Sequence, residues 1–323
     1  MTGSDPRQDP PLTFDRRTGR LDGATLRERV AALAITAGAR LTEPFAHRGF
    51  SLGCRILGTA LAPRETIVQL DDDARFAFPF GDPYWSVLLD RRYVYEIELA
   101  RFLETVVDVD YTFVDCGANY GLWSVLTTSR RFGAHRAIAI EASSRNAEKL
   151  RRNAALNGDR FTVRHQAIGA TAGGVARLSG RKHEAFTIAP SEAGDFCEEV
   201  PVISLDSLID DGTLEPAGRF IVKLDVEGVE IEALTGGTRL LAADTVILAE
   251  EHGADRSHGV TRWALAQPGC REFVLDPKTG RFEEVREPAF LDHIKTNHAV
   301  GYNVFVTRSA FWTERLRAAS AGP

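Results

Sequence analysis

The stretch Phe113-Val114-Asp115-Cys116-Gly117-Ala118-Asn119-Tyr120-Gly121-Leu122 decides the architecture. Two apolar residues run into an acid, two glycines bracket a tight turn, and a helical pattern opens at Leu122, so the segment reads as strand, turn, helix. Glycine lets the backbone turn sharply there and approach a neighbour closely. The alternation repeats downstream. Strands are expected at 112–115, 136–141, 162–167, 220–225, 245–250, 272–276 and 302–307, with helices at 122–131, 144–156 and 229–241. Strands alternating with helices need crossover connections, which implies an α/β fold with a mostly parallel sheet. The Pro/Lys/Gly turn and polar stretch between the last two strands suit an antiparallel sheet edge.

Upstream, residues 24–37 read as an amphipathic helix with Leu26, Val30 and Leu33 on one face and Gly38 as its stop. Residues 66–80 read as a hairpin turning at Asp71-Asp72-Asp73, and 93–107 return to helical spacing. The expected organisation is a disordered leader (1–23), an N-terminal α+β extension (24–92), the α/β domain (93–310) and a C-terminal tail (311–323).

The bulk composition narrows the function class. The chain has 323 residues, 44% hydrophobic and 26% charged, which is ordinary for a globular protein. A net charge of -6 gives no global pull toward nucleic acid. Cys54, Cys116, Cys197 and Cys270 are scattered, without zinc-ligand or disulfide spacing, so a reducing cytoplasm is the expected location. No apolar run approaches the roughly 20 residues of a membrane span.

About twenty residues after the last glycine of the turn, Ile138-Ala139-Ile140 ends in Glu141, the spacing at which an acid accepts two hydrogen bonds from a ribose diol. The glycine pattern is D-x-G-x-N-x-G rather than G-x-G-x-x-G. Asp115 would repel a pyrophosphate, whereas Asp115 and Asn119 suit a zwitterionic amino-acid group. The turn therefore favours S-adenosylmethionine over a nicotinamide dinucleotide.

The run from Phe113 to Gly121, with Glu141 and then Asn146, Leu150 and Asn153, resembles the FkbM family of S-adenosylmethionine-dependent methyltransferases. Three further stretches agree in order and spacing: Gln166-Ala167-Ile168-Gly169, Ile203-Ser204-Leu205-Asp206-Ser207-Leu208, and Val222 through Glu230 with its K-x-D-x-E-G-x-E pattern. The match departs at Ala142, where the family usually has Pro, and at Cys116, where Val is common. The resemblance implies a class I, Rossmann-like methyltransferase fold, seven strands with an antiparallel last one. It implies that Asp115, Gly117, Ala118, Asn119, Gly121, Glu141, Ala142, Gln166, Ala167 and Asp225 hold the cofactor. It also implies O-methylation of a sugar, glycan or polyketide-type hydroxyl, without fixing the acceptor.

Ligands of open α/β sheets bind beyond the carboxyl ends of the strands. The fourth expected strand ends in Asp225, followed by Glu227 and Glu230; the fifth ends in Glu250-Glu251-His252. Asp225 is the first candidate for the base that takes the acceptor's proton or for orienting the acceptor, followed by Glu227, His252 and Glu251. Lys223, two residues before Asp225, shares its strand face and reads as its ion-pair partner. Glu230 reads as a helix N-terminal carboxylate. A divalent metal on Asp225, Glu227 and Glu251 is the competing reading; no resident metal is expected. Arg181-Lys182-His183-Glu184 reads as a solvated charge run, Asp82-Pro83-Tyr84-Trp85 as a turn with core aromatics, and His135 and His165 as structural. The alternatives are a nicotinamide-dependent oxidoreductase, a non-catalytic S-adenosylmethionine-binding protein and, more weakly, an RNA methyltransferase. The expected partner is a small-molecule or glycan acceptor with a free hydroxyl.

Overall fold

The computed structural model describes residues 9–180, 187–188, 196–226, 228–298 and 300–320. Contacts divide the chain into two compact units, Met1–Tyr95 with Ala155–Gly158, and Glu96–Ala154 with Asp159–Pro323.

The first unit opens with β1 (Leu12–Asp15) and β2 (Leu21–Asp22), then α1 (Leu26–Thr42), α2 (Phe50–Thr59), β3 (Glu65–Gln69) and β4 (Arg75–Pro79). The four strands form one sheet in the order β2-β1-β3-β4. A leader disordered as far as residue 23 is thus corrected for its second half, where Leu12, Phe14 and Leu21 are buried and alternate with exposed neighbours, as a half-buried strand requires. The expected hairpin is present, with β3 and β4 antiparallel across the acidic triplet. Asp82 accepts the backbone N–H of Tyr84 and Trp85, and Trp85 is buried, so that stretch is a turn carrying a core aromatic.

α1 starts at a capping box. Thr25 Oγ1 accepts the Glu28 N–H at 3.3 Å, and Glu28 returns the bond to the Thr25 N–H at 2.7 Å. Glu28 also holds buried Arg64 at 2.9 Å. The helix runs through Gly38 and ends only ahead of Pro44 and the left-handed Ala46 (φ 52°). Its buried face differs from the expected one: Ala31, Ile35 and Ala39 pack inward, while Leu26, Val30 and Leu33 face solvent.

The second unit begins with α3 (Ile97–Glu104) and β5 (Thr112–Cys116), followed by α4 (Leu122–Thr127), β6 (Arg136–Glu141), α5 (Ser144–Leu156) and β7 (Phe161–His165). Next come β8 (Ala167–Ile168), β9 (Val175–Gly180), β10 (Thr187–Ile188), β11 (Phe196–Ile203) and α6 (Ser207–Asp210). The remainder is β12 (Arg219–Leu224), α7 (Glu230–Thr235), α8 (Thr238–Ala242), β13 (Asp244–His252), α9 (Gly259–Ala266), β14 (Arg271–Asp276), β15 (Arg281–Val285), α10 (Leu291–Ile294), β16 (Gly301–Thr307) and α11 (Ala310–Ser320).

The main sheet has eight strands in the order β15-β14-β16-β13-β12-β5-β6-β7. From β7 to β13 all neighbours are parallel, and β16 enters antiparallel between β13 and β14. This is the Rossmann-like methyltransferase architecture with one strand more than the expected seven. The turn at 277–280 leads into β15, an extra edge strand antiparallel to β14. Strands buried on both faces read as continuous apolar runs, as in Phe220–Val222 and Val246–Ala249, all at most 1% exposed. A second, four-stranded sheet (β10-β9-β11-β8) was not legible in the sequence; the charged run 181–184 lies outside the described residues. The expected C-terminal tail is instead α11, anchored by Trp312 and Leu316 at helical spacing and fully buried. Among the described residues no helix is long and apolar enough to cross a membrane.

Candidate active site

The strand order reverses between β5 and β12, whose carboxyl ends therefore open a crevice at a topological switch point. At the end of β5 the glycine turn is pinned to β6, since the N–H groups of Gly117 and Ala118 both donate to Ile140 O, at 2.9 and 3.0 Å. Gly117 has φ 76°, and a Cβ there would sit 1.7 Å from the Asp225 carbonyl oxygen. Gly121 (φ 86°) would bring a Cβ to 2.3 Å from Leu150 Cδ1. The close approaches that these glycines permit are thus to the chain itself: Gly117 seats the end of β12, and Gly121 seats α5. Asn153 Nδ2 donates to Tyr120 O at 2.9 Å, fastening α5 to the turn from its other motif position.

Glu141 ends β6 with a buried carboxylate. Its Oε2 accepts the N–H of left-handed Asn119 (φ 52°) at 2.7 Å, and its Oε1 accepts the Ser143 N–H at 2.8 Å. Burial pushes this carboxyl up to about 7, against the pull of those two hydrogen bonds. Gln166 donates its N–H to Glu141 O, Ala142 O bonds His165 Nε2, and Ala167 lies buried in β8 beside them.

Lys223 is the hub of the crevice. Its Nζ is buried, 2.8 Å from Asp225 Oδ2 and 3.6 Å from Glu96 Oε1, and register places it beside Asp115 on β5. Burial alone would lower its affinity for a proton; Asp225, Glu96 and Asp115 outweigh it and hold the ammonium well above the usual lysine range. Asp115 is buried and accepts Ser124 Oγ at 2.7 Å; desolvation raises its carboxyl. Desolvation also works against Asp225, but Lys223 and a hydrogen bond with Glu250 hold it below the ordinary carboxylate range. Glu96 goes the other way. Burial, with Asp225 and Glu98 nearby, pushes it up to about 7 despite Lys223.

The structure brings Asp115, Asp225 and His252 into this cluster and adds residues that no motif announces. Glu96 sits at the N-cap of α3 with φ 44°, a left-handed conformation that costs a non-glycine residue energy. It accepts hydrogen bonds from Trp123 Nε1 and, at 3.3 Å, from Asn303 Nδ2. Glu250 contacts Asp225 and lies over Gly301, where a Cβ would meet Glu250 Oε1 at 1.6 Å. His252 Nδ1 is 3.9 Å from Glu250 Oε1. Period-two alternation along β13 carries the signal that finds Glu250, because it sets Glu250 and His252 on one face and Glu251 on the other. Glu251 lies away from the cluster: fully buried, it accepts the Thr261 N–H at 3.0 Å and pairs with buried Lys295 at 3.5 Å. Glu230 accepts the N–H groups of Val226 and Gly228, closing the loop after Asp225; Glu227 lies outside the described residues.

The remaining motif is scaffold. Asp206 caps α8 by accepting the N–H groups of Arg239 and Leu240 at 3.0 and 2.8 Å. Ala167 and Ile168 pair in parallel with Val202 and Ile203.

No curated protein sequence matches the chain. Among solved structures, it is similar to a methyltransferase FkbM from Methylobacillus flagellatus KT, at 16% identity and a TM-score of 0.39, over 61% of this chain and 43% of that one. It is also similar to a precorrin-6y C5,15-methyltransferase from Geobacter metallireducens GS-15, at 13% identity and a TM-score of 0.35, over 66% and 88% of the two chains. A SAM-dependent O-methyltransferase from Thermotoga maritima gives 13% identity and a TM-score of 0.34, over 68% and 67%. The chain thus spans less than half the length of the Methylobacillus protein, and the family rests on the sequence match rather than on these pairs. Residues 115–298, more than half of the chain, match the profile of the methyltransferase FkbM domain. That span runs from the Asp115 turn past the Lys223 cluster and β13, and it replaces the nicotinamide-dependent alternative: the protein belongs to the FkbM family of S-adenosylmethionine-dependent methyltransferases.

Proposed function

We propose that the protein methylates a hydroxyl of a sugar, glycan or polyketide-type natural product. When bound, S-adenosylmethionine supplies an electrophilic methyl group on a sulfonium. Glu141 fits a ribose hydroxyl: Oε1 accepts the Ser143 N–H and, at 3.5 Å, Asn146 Nδ2, Oε2 accepts only the Asn119 N–H, and a carboxylate offers about four lone-pair sites, so an acceptor position remains on Oε2. Asp115, Gly117, Ala118, Asn119 and Gly121 form the wall for the amino-acid end, and Ala142, Gln166 and Ala167 flank Glu141 on the other side.

The observation that carries the reading is the pair of partly exposed carboxylates, Glu96 and Asp225, on either side of the buried Lys223 ammonium. An acceptor hydroxyl that is to be methylated must be held in place and must lose its proton, and those two tasks fall to the chain's own carboxylates. Asp225, stabilised as an anion, orients that hydroxyl. Glu96, raised to about 7, has the proton affinity of an effective base near neutral pH and takes the proton. Glu250 and His252 complete the acceptor side, and the motif assigns Glu227 a role in the same step; positioning of the acceptor supplies the rest of the acceleration. We take the reaction to be metal-free, because the Lys223 ammonium already occupies the centre of Asp115, Glu96 and Asp225 where a cation would bind. The reading also places the protein in a reducing cytoplasm, where buried Cys54 and Cys116 remain free thiols.

The test is transfer from S-adenosylmethionine to a panel of sugars, glycans and polyketide alcohols, with products read by mass spectrometry and NMR. A methyl ether is the expected product; methylation confined to amines or carbon would replace this reading.

A further inference from the structure

α1 is apolar on two sides. Its inner side packs Ala31, Ile35 and Ala39. At about 100° per residue the opposite side carries Leu26, Val30, Leu33, Ala37 and Leu41. The large ones are exposed, from 58% for Val30 to 79% for Leu26. The short turn that follows exposes Phe45, and α2, buried through Phe50 and Cys54, turns Leu52 and Ile56 outward. So many large apolar side chains left exposed on one short segment mark a contact with something else.

The exposed charges around it are mostly positive. Arg27, Arg29, Arg40, Arg48 and Arg55 are exposed on this segment against Glu43 alone, in a chain whose net charge is -6. Arg40 is paired with Asp90, while Arg27, Arg48 and Arg55 have no carboxylate partner among the described residues. A helix laid in a membrane interface has this composition: aliphatic and aromatic side chains entering the acyl boundary, with arginines at headgroup level. We propose that the α1–α2 face is a docking surface for an anionic phospholipid bilayer, α1 lying in the plane of the interface. A second copy is a poorer occupant, because a two-fold contact between identical basic patches sets arginine against arginine. A nucleic acid would satisfy the arginines but leave Leu26, Val30, Leu33 and Ile56 exposed, since base stacking uses aromatic platforms.

Flotation of the full chain with phosphatidylcholine vesicles, with and without phosphatidylglycerol, tests this directly. The anionic vesicles are expected to carry at least about tenfold more protein, and high salt should reduce that difference. Leu26→Glu with Leu33→Glu should abolish binding, and Arg27→Gln with Arg48→Gln and Arg55→Gln should weaken it about tenfold or more, with melting temperatures unchanged. The second set changes only exposed arginines, so it remains decisive if the first does not fold. Binding equal on both vesicles, absent from both, or unchanged in the arginine variant overturns the proposal. A dimer in sedimentation that Leu33→Glu dissolves, without vesicle binding, would reassign the face to a second copy. Binding to single-stranded RNA in place of vesicles would reassign it to nucleic acid.

Discussion

Glu96 and Asp225 contact the same ammonium yet move in opposite directions, and that divergence separates their roles. Asp225 has the shorter contact with Lys223, 2.8 Å against 3.6 Å, and stays ionised; Glu96 is left with a proton affinity near neutrality. A general base must be deprotonated to act, so activity should rise with pH through about 7 and level off above it. Glu96→Gln should lower kcat by about 10²-fold or more and erase that limb, whereas Asp225→Asn should also slow turnover but keep it. The measurement is kcat against pH for the three proteins. A limb that survives in Glu96→Gln removes Glu96 as the base. Lys223→Met should be worse for stability than either, about 3–5 kcal/mol, because it strands buried acids without their counter-charge. Chemical denaturation of the variant checks this.

At the scale of elements, the site depends on how closely β5 and β12 meet. Gly117→Ala places a methyl group where the Asp225 carbonyl lies and strains a positive φ, so both strand ends must shift. The expected cost is at least about 2 kcal/mol, or roughly 5 °C in Tm, together with loss of cofactor binding. A variant with unchanged melting and affinity would show that the contact is dispensable. The same elements show what the sequence could convey. β6 and α5 have the bounds read from the pattern, because a doubly buried strand and a regular helix each have a clear period. The helix expected over 229–241 is broken into α7 and α8 at Gly236-Gly237. There the backbone packs so tightly that a Cβ on Gly236 would stand 2.5 Å from Gly169 O, a contact from a distant motif. For α1 the period was right and the face wrong: with apolar residues on both sides, periodicity cannot say which side the protein covers.

At the scale of the whole molecule, desolvation raises, among the described residues, the buried carboxyls of Asp115, Glu141 and Glu272 and the half-buried one of Glu96, with Glu96 and Glu141 at about 7 and Glu272 at about 8. Between about 4.5 and 8 the folded chain therefore holds protons that the unfolded chain has released, so stability is greatest at the acid end of that window and falls as pH rises. Lowered acids such as Asp255, at about 2, lose their contribution only below about pH 4. Tm should drop by on the order of 5 °C from pH 5 to pH 8, measurable by calorimetry; a flat or rising profile would contradict these shifts. The site divides in the same way between local and global information. Glu141 is legible because its distance from the glycine turn is set within one β–α–β unit. Glu96 is not, because its partners Lys223 and Asn303 reach it from remote strands, the latter 207 residues away. The central claim is that Glu141 receives the ribose of S-adenosylmethionine, and calorimetric titration with S-adenosylhomocysteine at about pH 6 and about pH 8 tests it most directly. The account predicts binding that tightens as pH rises past about 7 and weakens about 10–100-fold in Glu141→Ala. Affinity indifferent to both pH and the substitution would contradict it.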